Sequence, residues 1–200
     1  MSSSNLVRLG GVAAVAAATL ILLTQLLSFL LDESVPSIPV VVNSVLKLLA
    51  VFLLLLGLVG LYAHQSEAAG PLGLVGFLVA FLGTMLLSGD LWLEAFAFPY
   101  LGEVAPRLIE QTPTGTLAAG GVGSFITFAI GWVLFGVASL RARVFVRGAA
   151  ILLIAGGVIG FGFVVFPGAG ILLALAVGWM GFSLGQSARG SGEGQPQRVR

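Results

Sequence analysis

Six stretches of this chain run for 18 to 25 residues almost without charge: 9–31, 40–63, 71–88, 116–140, 148–166 and 168–185. Only the second contains an ionised side chain, Lys47. About 20 apolar residues at a rise of about 1.5 Å each match the thickness of a bilayer's hydrocarbon core. Backbone amides in hydrocarbon find no water, so a spanning segment is either a helix or part of a closed barrel. None of the six runs alternates in the short pattern of a barrel strand. The expected fold is therefore an all-α integral membrane protein, a bundle of six transmembrane helices.

Composition agrees. Of the 200 residues, 58% are apolar and 8% charged, against about 25% charged in soluble domains. A net charge of +1 provides no basic surface for nucleic acid. The absence of cysteine removes disulfides, thiolate metal sites and thiol nucleophiles. One histidine, His64, and two aspartates are too few for a multi-histidine metal site and make a hydrolytic triad improbable. No catalytic, cofactor-binding or metal-binding residue is assigned, and no enzymatic activity is expected.

The first run follows Arg8, but its 23 uncharged residues exceed a signal-peptide core and no small-x-small cleavage site follows it before Asp32. It reads as a retained span. Basic residues in short loops stay on the cytoplasmic side. With the N-terminus inside, that side holds Arg8, Arg141, Arg143, Arg147, Arg189, Arg198 and Arg200, while the outer side keeps only Arg107. Both termini are expected in the cytoplasm, at the plasma (inner) membrane of a bacterium.

The tail 187–200, SARGSGEGQPQRVR, is too polar to bury and is expected to be disordered. The connection 91–115 is too charged to span and too apolar for a free loop. It reads as an amphipathic interfacial segment on the outer face, its Trp92, Phe96, Phe98 and Tyr100 at headgroup level. Pro99 and Pro106 are expected to break it into pieces.

Polar side chains concentrate in the outer halves of the first four spans: Thr24, Gln25 and Ser28; Asn43, Ser44 and Lys47; Thr84 and Ser88; Ser124 and Thr127. Lys47 is the most costly, at about 2.5–3.5 kcal/mol for a charge at depth. It has three fates: snorkelling to the headgroups, pairing with Asp90 or Glu94, or lining a cavity. Gln25, Asn43, Lys47, Thr84, Asp90 and Glu94 form the candidate polar cavity, the alternative being interhelical hydrogen bonds with no further role. Gly156–Gly160 and Gly181–Gly185 have the spacing for close helix approach, within the chain or in a homo-oligomer. The expected function is non-enzymatic packing with lipid, a partner or a second copy. The alternative is a small transporter, channel or lipid-binding protein built around Lys47.

The stretch 61–101, LYAHQSEAAGPLGLVGFLVAFLGTMLLSGDLWLEAFAFPYL, resembles a pattern in uncharacterised bacterial multi-pass membrane proteins, where an LYA-x-Q-x-E-A-A-G turn precedes a glycine-rich span. The resemblance implies no activity. The stretch 148–185 is similar in composition to the hairpins of HdeD-like acid-resistance membrane proteins, which implies six spans with a proline at the outer turn, here Pro167. No functional residue is carried over from either.

Overall fold

A computed structural model describes residues 3–32, 37–109, 111–160 and 169–190. Among them every regular element is helical: α1 (Ser3–Leu30), α2 (Ile38–Trp92), a π-helix (Leu93–Ala97), α3 (Phe98–Val104), α4 (Pro106–Ile109), α5 (Gly115–Ala142), α6 (Arg147–Gly160) and α7 (Ala169–Gly190). Three helical stretches are long and apolar enough to cross a membrane, and α6 and α7 are shorter apolar helices.

The 55 residues of α2 are not one rod. Gly70 has φ 57° and ψ −154°, a conformation essentially restricted to glycine, and Pro71 follows with its φ already suited to a first helical turn. The chain reverses there. Tyr62 and Phe77 stack with ring centroids 4.4 Å apart, whereas 15 residues of straight helix would separate them by about 22 Å. Two antiparallel arms result, α2a (38–69) and α2b (71–92). A Cβ at Gly70 would meet no neighbour within 4 Å, so Gly70→Ala tests the backbone alone. The expected loss is about 1–3 kcal/mol, read as a lower unfolding midpoint in detergent or lipid discs.

The six long helical arms close into a ring in the order α1, α2a, α2b, α5, α6, α7 and back to α1. Small residues carry most of these contacts. Gly57 lies against Ala14, Gly76 against the Phe135 backbone, Gly156 against the Leu173 backbone and Gly181 against the Gly11 carbonyl. These pairings place Ser3 and Gly190 at one end of the bundle, with Gly70. The centre is filled by Leu54, Leu58, Leu61, Trp132, Phe135, Leu153, Val177, Met180 and Leu184, all less than 2% exposed.

The exterior is equally apolar. Val42, Val45, Leu49, Phe52 and Leu56 on α2a, Leu78, Leu82 and Met85 on α2b, and Leu175, Trp179 and Phe182 on α7 are all exposed. Soluble monomers rarely expose apolar patches of more than a few hundred Å². A bundle with Gln65, Asn43 and Thr84 inside and leucine and phenylalanine outside is suited to lipid as its solvent.

Two expectations need correction. Pro99 does not interrupt the chain, because α2b continues through the π-helix into α3, with Pro99 in the first turn of α3. The Phe98 N–H donates to the Leu93 carbonyl, five residues back. Widening the turn immediately before the proline relieves the clash that a proline ring makes with the carbonyl four residues earlier. The break comes at Ala105, non-helical at φ −149° and ψ 59°, as the residue before Pro106 tends to be. The first residues of the tail, 187–190, are helical and not disordered, since α7 continues to Gly190; the rest of the tail, and Pro167 with the outer turn expected there, lie outside the described residues.

Candidate functional site

The polar residues gather at the end of the bundle away from Gly70, but not as one cavity. Their centre is Glu94, in the π-helix. Its Oε1 accepts from the Ser44 hydroxyl at 2.8 Å and from Lys47 Nζ at 3.1 Å. Ser44 and Lys47 are one turn apart on α2a and so present their donors side by side. The side chains of Lys47 and Glu94 are 18% and 34% exposed, so the pair is neither fully solvated nor sealed. Of the three fates open to Lys47, the structure has the ion pair, with Glu94 rather than Asp90.

The other candidates divide into separate contacts. Asn43, fully buried, donates from Nδ2 to Ser28 Oγ on α1 at 3.0 Å. Thr84, also fully buried, donates to the Ala80 carbonyl in its own helix and accepts from Trp132 Nε1 on α5 at 3.1 Å. Asp90 neighbours Ser124 of α5, and its Oδ2 is buried without a hydrogen-bond partner. Gln25 Nε2 is in the same condition on α1. The structure thus brings Lys47 and Glu94 together and leaves Gln25, Asn43, Thr84 and Asp90 outside that pair.

Hydroxyls join helices less than their spacing suggested. Thr19, Thr24, Thr84, Ser88, Ser124, Thr127, Ser139 and Ser183 each donate to a carbonyl three or four residues earlier in their own helix. That local bond satisfies the hydroxyl without a partner helix. Among the described residues, side-chain hydrogen bonds between arms include Asn43 to Ser28, Trp132 to Thr84, and Ser44 and Lys47 to Glu94.

Sequence reasoning missed Trp132, whose only signal was that a buried indole N–H usually finds an acceptor. Trp132→Phe removes that donor while Thr84 keeps its bond to Ala80. The expected cost is about 1 kcal/mol, seen as a lower melting midpoint, and Trp132→Phe/Thr84→Val is expected to cost little more than the single change.

A depression of about 370 Å³ lies between α2a and α2b on the bundle's exterior, lined by Val45, Leu48, Leu49, Phe52, Leu55 and Ser88. It is apolar and does not include the Glu94 cluster. Comparison with protein-family models, curated proteins and solved structures finds no match.

Proposed function

We propose that the protein is a six-span integral membrane protein of the bacterial plasma (inner) membrane, with both termini cytoplasmic, that works without catalysis by packing with lipid, a partner or a second copy of itself. The α2 hairpin supplies the second and third spans, and α6 and α7 the last two. Residues 98–109 rest at the outer headgroup level. One observation supports the non-catalytic reading: the one charge inside the six apolar runs, Lys47, is half-buried and paired with Glu94. Support for self-association comes from Gly120, Gly121 and Gly123 at the start of α5, where an added Cβ would meet nothing within 4 Å.

A second reading, a small-solute or lipid-headgroup site among the outer polar groups, is favoured by the buried polar atoms of Gln25 and Asp90 that lack partners. Ser44→Cys separates the two. Ser44 is 1% exposed at the heart of the cluster, and the chain has no other cysteine. The packing reading expects no reaction with a small water-soluble thiol reagent in intact membranes. Brisk labelling would establish a wetted cavity and overturn it.

A further inference from the structure

Three observations meet at residues 93–97. The helix leaving the bundle has a π-turn there, with Phe98 N–H bonded five residues back, followed at once by Pro99. A widened turn next to a proline is a place where helices bend. Second, the residues beyond it are held by almost nothing. Neither α3 nor α4 has a buried residue, and their substantial packing is with the π-helix and each other. Among the described residues, no side chain of 98–109 makes a hydrogen bond, ion pair or ring contact with the bundle. Third, the π-helix itself is fastened, by Ala95, 1% exposed, and by Glu94, whose one oxygen takes both Ser44 and Lys47.

We propose that Ser44, Lys47 and Glu94 form a latch, and that residues 98–109 are an arm hinged on the π-helix whose angle the latch fixes. Glu94 sits in the hinge itself, and its carboxylate reaches across to α2a, so its two hydrogen bonds set the orientation of everything beyond it. With the latch closed, the arm has one attitude over the outer end of the bundle. With it open, the arm swings about 93–97 while α2b and α5 stay packed through Gly83 and Gly131.

The cysteine-free chain allows a direct test by paired spin labels in lipid discs. One pair spans the hinge, Tyr100→Cys with Leu117→Cys; the reference pair joins α2b to α5, Leu78→Cys with Ile130→Cys. All four positions are exposed. Glu94→Ala opens the latch from the hinge, and Ser44→Ala/Lys47→Met opens it from the bundle, so one variant still reports if the other fails to fold. Each is expected to broaden the Tyr100–Leu117 distance distribution and add a second population, with the Leu78–Ile130 distribution unchanged. An unchanged hinge pair overturns the proposal. Equal broadening of both pairs also overturns it, because the cluster would then be general packing and not a latch.

Discussion

A methyl group on Gly83 or on Gly131 is expected to destabilise the folded bundle by about 1–3 kcal/mol at each position. The two glycines mark the crossing of α2b and α5. A Cβ on Gly83 would run into the backbone of Phe128, and one on Gly131 into the backbone of Ala80. A neighbouring side chain can rotate away, but a helix backbone cannot, so the axes must separate. The shift would loosen the contacts of Phe128, Trp132 and Phe135, which are at most 4% exposed, and lengthen the Trp132–Thr84 hydrogen bond. Alanine's better helix propensity, worth up to about 1 kcal/mol over glycine, offsets only part of this. The control is built into the same helix. Gly120 and Gly121 open onto free space, and alanine there is expected to be neutral or stabilising. Unfolding midpoints in mild detergent with graded denaturant rank the four variants. The double variant Gly83→Ala/Gly131→Ala is expected to cost less than the sum, because the first substitution already moves the helices apart.

Lys47→Met and Glu94→Leu are each expected to cost about 1–3 kcal/mol, and together to recover most of that loss. The scale lies between exposed pairs, worth about 0–1 kcal/mol, and buried pairs, where removing one partner costs about 3–5 kcal/mol. The intermediate exposure of these two side chains puts them in between. Removing either partner deprives the other charge of this counter-charge, whereas two apolar replacements leave neither charge. Ser44 then loses its acceptor and turns to a carbonyl of its own helix, as most of the hydroxyls here already do. A double-mutant cycle reads the coupling directly.

Much of the helix layout was legible because the bilayer imposes a simple rule on length and charge. Pro71 marked the start of the third run, and the structure puts the α2 reversal at Gly70 beside it. What the rule could not see was how far a helix continues once charge reappears. Asp90, Glu94 and Glu103 end the apolar run, and Pro99 suggests a break. Backbone hydrogen bonding nonetheless persists to Val104, because a single π-turn accommodates the proline. The site was legible in part for a related reason. Depth along a helix follows from residue count, which put Gln25, Lys47, Thr84 and Ser124 at one level. Azimuth depends on packing, and that sends Thr84 towards Trp132, Asn43 towards Ser28 and Lys47 towards Glu94. Gln65 entered only as part of the LYA-x-Q-x-E-A-A-G pattern, with no role assigned. It is fully buried with neither amide atom hydrogen-bonded, and its place on the stripe of Leu54, Leu58 and Leu61 becomes visible only once the bundle is assembled.

The central claim is that α2 crosses the membrane twice, and sidedness at its turn tests this most directly. Glu67 is exposed three residues before Gly70, and Tyr100 is exposed on α3 at the far end of the returning arm. Single cysteines at the two positions would be treated with a membrane-impermeant thiol reagent, first in intact cells and then in inverted vesicles. The account predicts that Tyr100→Cys reacts from outside the cell and Glu67→Cys only in inverted vesicles. Reaction of both from the same side would contradict it.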